Sequence, residues 1–421
     1  MKHATKLVVS SSLVCALIVA SLLLAGGCSR EKREAPAVVS AERNSFNEVT
    51  ARLDRGGSLF VYLGTEQWLT GLHERVSVLR DLVLADANMG ERERKNAQKG
   101  FDVAARLVQR IGVESISGVG LSRVALEPGF YRTKGFVHHY SDQGAGWLWN
   151  WLGRKSHPLG GLDCLPVNTA WATFFDLDLA AAWTAILQEL HETGNAEAEA
   201  AMQKVSNDTE RQGGQKLETI LGSLAGEFGM VLTLDFANKI TVPMGRSPME
   251  IPQPGLAIVT KVKDDTLFNA VDRQLKQNPM VTASEKDGVR MRSFSVPALA
   301  MFKIQPVLAR TGDWLVLASS DELLWQMLDA KAGKKPGLKS TDEFKKLARE
   351  LAAAQGNQFS YVSKRFGEIV MEIQKATSAA KPAGAKSQFA LLQKLLNTQP
   401  VTSFAVSSNT GDGWFSVAHS Q

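Results

Sequence analysis

Val307-Leu308-Ala309-Arg310-Thr311-Gly312-Asp313-Trp314-Leu315-Val316-Leu317 decides the fold class. Two short apolar runs flank a polar turn that carries a glycine, which is the pattern of a β-hairpin. A helix follows at once, announced by Ser319-x-x-Glu322, and Ser340-x-x-Glu343 opens another; this spacing lets a hydroxyl and a carboxylate satisfy free amides at a helix start. A hairpin feeding directly into helices implies an antiparallel sheet carrying helices, an α+β architecture.

Working outward, the same grammar recurs. Val119 to Leu126 and Phe130 to Tyr140 flank Glu127-Pro128-Gly129, and Phe404-Ala405-Val406 and Trp414 to Val417 flank a turn around Gly411-Asp412-Gly413. Four apolar runs switch to three-and-four spacing: Leu59 to Leu63, Trp171 to Phe175, Leu256 to Thr260 and Phe359 to Val362. Each reads as a strand followed by an amphipathic helix. Thr65, Asp178 and Asp265 stand near these switches, where a side-chain oxygen can cap the helix. Helical runs fill Glu91–Ile111 and Ala196–Leu224. The expectation is therefore degenerate strand-helix-hairpin repeats, with antiparallel sheets and helices packed on one face. The proline-rich stretch Val242 to Pro254 is the best boundary, giving α+β domains over 57–248 and 249–421. Lys375 to Ser387 reads as a loop from its Ala, Lys, Pro, Gly and Ser content.

The amino terminus has a different character. Lys2 and Lys6 precede an uncharged run from Leu7 to Ala25, which ends in Leu24-Ala25-Gly26-Gly27-Cys28. A positive start, an apolar core and a small-residue exit describe a secretory signal. The exit resembles the lipobox of bacterial lipoproteins, departing from it in Ala25, where leucine is commoner. The resemblance implies a diacylglyceryl group on the Cys28 thiol, cleavage after Gly27 and an N-acyl chain on the new terminus. It thus implies a signal over 1–27 and a lipid-anchored tether over 28–56, charged and proline-bearing at its start, with a short helix in Ala41 to Leu53. Several acyl chains anchor stably, because each buried methylene contributes about 0.8 kcal/mol and one chain alone is marginal. Ser29 follows the cysteine; by the enterobacterial sorting rule this implies the periplasmic face of an outer membrane. An ordinary cleaved signal and an uncleaved membrane helix stand beside this reading.

Part of the carboxyl-terminal half, Gly255 to Val362, is also similar to a large family of exported bacterial proteins known only as a domain of unknown function. The residues that carry the likeness are Asp313 to Ser319, Ser340-x-x-x-Phe344-x-x-Leu347 and Asn357 before a strand. The likeness implies an envelope location and a repeated α+β fold, and it assigns no catalytic residue.

Composition narrows the function classes. Net charge is +5, and loss of Lys2 and Lys6 with the signal leaves +3. That is too mild, and too evenly spread, for nucleic-acid binding, which needs a clustered basic stripe. Of three cysteines only Cys164 belongs to the body, so an internal disulfide has no partner there. Cys164 reads as a packed, inert thiol. His138-His139 lie on a strand and point to opposite faces, so they cannot jointly clasp a metal without a bulge. His73-Glu74 and His191-Glu192 lack the second histidine of a zincin helix, and no Gly-x-Ser-x-Gly elbow occurs. No cofactor is implied beyond the lipid on Cys28. The unusual feature is Trp147-Leu148-Trp149-Asn150-Trp151. Displayed, Trp147, Trp149 and Trp151 would contact glycan or lipid; packed, they are core, the reading favoured here. Strand alternation would put all three rings on one face, whereas a helix would bring Trp147 and Trp151 together.

The resulting expectation is a membrane-anchored envelope lipoprotein that acts as a non-catalytic binding or scaffolding module toward envelope proteins, glycan or the membrane surface. Two alternatives are a substrate-binding lipoprotein of a transporter, which needs two lobes about a cleft, and an exported hydrolase, which needs a Ser–His or carboxylate pair converging in a pocket.

Overall fold

The computed structural model describes residues 44–86, 89–140, 146–194, 196–244, 247–300, 304–351, 355–379 and 401–421. Cys28 and the expected signal lie outside these residues; of the tether, the described part holds a helix, Phe46–Ala51.

Strand β1 (Leu59–Gly64) leads through helices Leu72–Leu84 and Glu91–Ile111 into the hairpin β2 (Ile116–Glu127) and β3 (Phe130–His139). A short β4 (His157–Pro158) precedes β5 (Thr169–Asp176), which leads through helices Leu179–Glu192, Ala196–Gly213 and Leu217–Gly222 into the hairpin β6 (Leu224–Met244) and β7 (Ser247–Val262). Helix Thr266–Leu275 precedes β8 (Val281–Lys286), β9 (Val289–Phe294), β10 (Val307–Thr311) and β11 (Trp314–Ala318). Helices Asp321–Lys331 and Asp342–Ala348 lead to β12 (Gln355–Gly356) and β13 (Gln358–Val362), and helix Lys364–Ala379 precedes the hairpin β14 (Ser403–Thr410) and β15 (Gly413–Ser420).

The chain is α+β, and among the described residues one antiparallel sheet of 13 strands dominates it, in the order β1-β2-β3-β15-β14-β13-β5-β6-β7-β11-β10-β9-β8. The strands from the chain's end sit in the middle: β15 pairs with β3, and β13 pairs with β5. The expected boundary between residues 248 and 249 falls inside the β6–β7 hairpin, where Pro248 pairs with Pro243 and Met249 with Val242. The prolines are tolerated there because β5 reaches only Glu227 to Thr233 of β6 and β11 only Ala257 to Lys261 of β7. Beyond those limits the hairpin is a two-stranded ribbon, and a missing N–H breaks no inner ladder.

Helices lie against both faces of the sheet rather than one. On the first face Val307, Ala309, Trp314 and Val316 pack with Leu323, Leu324 and Met327 of the helix Asp321–Lys331. On the second, Leu308 and Leu315 pack with Phe268 of the helix Thr266–Leu275. Adjacent residues on a strand point to opposite faces. The unbroken apolar run of Trp314 to Ala318 is thus the mark of a strand covered on both sides. The first face is centred on an aromatic row: Phe174 and Phe359 stack with centroids 4.9 Å apart, and Phe344 meets Phe404 edge-on at 4.9 Å.

Helix starts shift by one residue from the expected caps. Ser320 accepts from the Leu323 amide at 3.2 Å and Thr341 from the Phe344 amide at 3.3 Å. Ser319 instead accepts from the Leu256 amide, tying β11 to β7. Asp178 caps as expected, while Thr65 donates to the Ile116 carbonyl and the side chain at the start of Thr266–Leu275 is Asp264, not Asp265. Leu224 begins a strand rather than ending a helix, and helix Lys364–Ala379 covers the first part of the stretch read as a loop; residues 380–387 lie outside the described residues.

Gly229 and Gly161 both sit against the Phe174 ring, and a Cβ on either would run into it. Gly229→Ala is expected to lower stability by about 1–3 kcal/mol, the usual cost of overpacking a filled core. Urea unfolding checks this, and an unchanged midpoint would contradict the packing described.

Candidate functional site

Three neighbouring strands bring charge to one end of the aromatic face. Asp176 ends β5 and lies directly opposite Glu227 on β6, and Lys261 follows on β7. Asp176 and Lys261 stand two residues beyond Phe174 and Val259, so they share the aromatic face. The residue before β13, Asn357, completes the row. Asp176, Glu227 and Lys261 line a cleft of about 350 Å³ together with His157, Trp151, Leu177, Leu221, Arg154 and Lys263.

Each carboxylate in the row has its own cation. His157 meets Asp176 through Nε2 at 2.9 Å, and Lys261 pairs with Glu227, which is buried. Asn357 donates from Nδ2 to Asp176 at 2.9 Å and to the Lys155 carbonyl at 2.8 Å, while its Oδ1 accepts from the Asn409 amide at 2.9 Å. Asn409 in turn donates to the carbonyls of Trp149 and Gly153 at 2.5 and 2.7 Å. The loop that delivers His157 turns at Gly153, whose φ of 86° favours a residue without Cβ. A Cβ there would also strike Asn357 and Asp176.

His157 is pushed up to about 9, chiefly by its hydrogen bond to Asp176, against the opposing effect of burial. At neutral pH it is an imidazolium, and both N–H groups are engaged, since Nδ1 donates to the Pro158 carbonyl at 2.9 Å. A general base needs a free lone pair in its resting state, and this ring offers none. Among the described residues lining the cleft there is no hydroxyl or thiol side chain. Cys164 is buried elsewhere, donates to the Gly161 carbonyl, and is pushed up to about 12 by burial, far from the thiolate form that reacts.

The three tryptophans lie on a short helix, Trp147–Trp151. Trp147 and Trp151 stack with centroids 5.3 Å apart, as helical spacing brings them together, so the strand alternative does not hold. Trp149 is buried against His139 at 4.4 Å, and the outer two rings are half-buried. Only Trp151 borders the cleft. His138 and His139 are both buried, and His138 takes a hydrogen bond with Ser117 at 2.6 Å.

Among the described residues no group of three or more His, Cys, Asp or Glu side chains could hold a metal ion. No described helix is long and apolar enough to cross a membrane, which says nothing of proteins that cross with strands. No protein-family model, curated protein or solved structure matches the chain.

The His157–Asp176 pair predicts a pH dependence. The folded pKa lies above the ordinary histidine value of 6.5, so the pair's stabilisation is complete below about 6.5 and is lost as pH rises through about 9. His157→Gln is expected to flatten the fall in thermal stability across that window. A wild-type His157 ring that titrates near 6.5 by NMR would contradict the ion pair.

Proposed function

We propose that this chain is an exported envelope lipoprotein, held on a membrane by a diacylglyceryl and N-acyl lipid on Cys28, whose α+β body serves as a non-catalytic binding or scaffolding module. The lipobox-like exit Leu24 to Cys28 supports the anchor. The state of His157 supports the rest: the best acid–base candidate in the charged cleft is protonated and tied on both nitrogens, as a structural ion pair is. Arg154 and Lys263 add positive charge to the lining, with Lys263 also donating to the Gly222 carbonyl at 2.8 Å, so the cleft is suited to hold an anionic group rather than to transform it.

The alternatives draw less support. A transporter's capture protein needs two lobes that close on a ligand, whereas here one sheet runs through both halves. A hydrolase needs a nucleophile or a free base facing the cleft.

Metabolic labelling with palmitate, followed by fractionation, tests the anchor. The wild type should carry label and sediment with membranes, and Cys28→Ser should be unlabelled and released. Equal sedimentation of the two would overturn the tether. Cross-linking in intact envelopes tests the module: specific envelope proteins should be recovered with the wild type and largely lost with Cys28→Ser.

A further inference from the structure

The charges that line the cleft do not cancel. Asp176 is answered by His157, an imidazolium at neutral pH, and Glu227 is answered by Lys261. Asp178, Arg154 and Lys263 remain in the lining. Asp178 is committed to the start of the helix Leu179–Glu192, where it accepts from the Ala181 amide at 2.9 Å. Lys263 is committed in part to the Gly222 carbonyl. Arg154 is exposed, and its guanidinium has no hydrogen-bond or ion-pair partner among the described residues. The lining therefore carries one positive charge in excess, and Arg154 is its uncommitted cation.

Much of the remaining lining is apolar. Trp151, Leu177, Leu221 and Leu224 border the same space. The Trp151 ring is steadied by its stack on Trp147. Apolar side chains with a few placed polar groups are the general form of a small-molecule site, and a cleft of about 350 Å³ is at the small end of the usual range. That size suits one ring with its substituents rather than a stretch of polymer.

We propose that this cleft binds a single carboxylate borne on one ring, with the Arg154 guanidinium paired to the carboxylate and Trp151 packed against the ring. The assignment rests on reading the body as a non-catalytic binding module. A guanidinium offers two parallel N–H groups that match the oxygens of a carboxylate or a phosphate. Charge decides between the two. A phosphate monoester carries about −1.5 to −2 at neutral pH, more than one excess positive charge answers, with Asp178 and Glu227 in the same lining. A carboxylate carries a single negative charge and is fully answered. Sugar acids and aromatic acids both present this chemistry, and the test separates them.

Isothermal titration calorimetry on the detergent-solubilised full chain uses glucuronate and benzoate as probes. Glucose and benzyl alcohol are their neutral counterparts, and inorganic phosphate is the competing anion. At least one carboxylate should bind saturably, one per chain, while its neutral counterpart does not bind and phosphate binds more weakly. Glucuronate binding alone identifies a sugar acid, and benzoate binding alone an aromatic acid. Arg154→Gln should weaken binding about tenfold, the cost of one hydrogen bond to a charged group. Lys155→Gln removes the next cation on the same loop, which is not part of the lining, and should leave binding unchanged. Both side chains are exposed, so both variants are expected to fold. Phosphate binding as tight as that of the carboxylates would overturn the carboxylate assignment and leave an anion site standing. Absence of binding by every anion would sink the anion-holding cleft together with its ligand. An Arg154→Gln chain that binds like the wild type, or an equal loss in Lys155→Gln, would contradict the part given to Arg154.

Discussion

The pairing of β13 with β5 holds the molecule together. Gln358 to Val362 come late in the chain, yet they lie between β14 and β5, with Phe359 directly opposite Phe174. Without that ladder the sheet divides into β1-β2-β3-β15-β14-β13 and β5-β6-β7-β11-β10-β9-β8. The aromatic row crosses the same seam, so the backbone ladder and the side-chain stack reinforce one another. Contacts this distant in sequence must overcome a large loop-closure cost before they stabilise anything. The density of aromatic packing at the seam is the physical counterweight.

The charged cleft depends on the same seam. Asn357 immediately precedes β13, and its amide reaches across to Asp176 at the end of β5. The Asp176 carboxylate is then shared between His157 and Asn357, and Glu227 beside it is neutralised by Lys261. Two carboxylates directly opposite each other on neighbouring strands would destabilise the sheet if left bare. Here each has a cation, and this explains why His157 stays protonated well above its ordinary range. A row in which every charge is answered is suited to fixing geometry.

Much of the fold was legible in the sequence because hairpins and strand-to-helix switches are local signals. The turn around Gly312, the turn around Gly129 and the amphipathic run Glu91–Ile111 all stand where local pattern puts them. The helix over Trp147–Trp151 was one of two readings of the same spacing; Trp149 is buried there, while Trp147 and Trp151 are half-buried. What local pattern could not carry is the order of strands. The prolines of Val242 to Pro254 resemble a linker, since nothing in the sequence reveals that the β6–β7 hairpin outruns its neighbours. The cleft was equally hidden: His157, Asp176, Glu227, Lys261 and Asn357 come from five separated stretches with no characteristic spacing. Asp176 reads from the sequence as a strand-end carboxylate and Asn357 as part of a family likeness, and their meeting is seen only when β13 is placed beside β5.

Hydrogen exchange followed by mass spectrometry tests that placement most directly. The account predicts that amides of Phe359 to Val362 exchange as slowly as those of Phe228 to Leu232 in the centre of the sheet, because both open only when the whole sheet does. Exchange of the β13 amides on the timescale of exposed loops, with the β6 amides still protected, would contradict a single sheet joined at that seam.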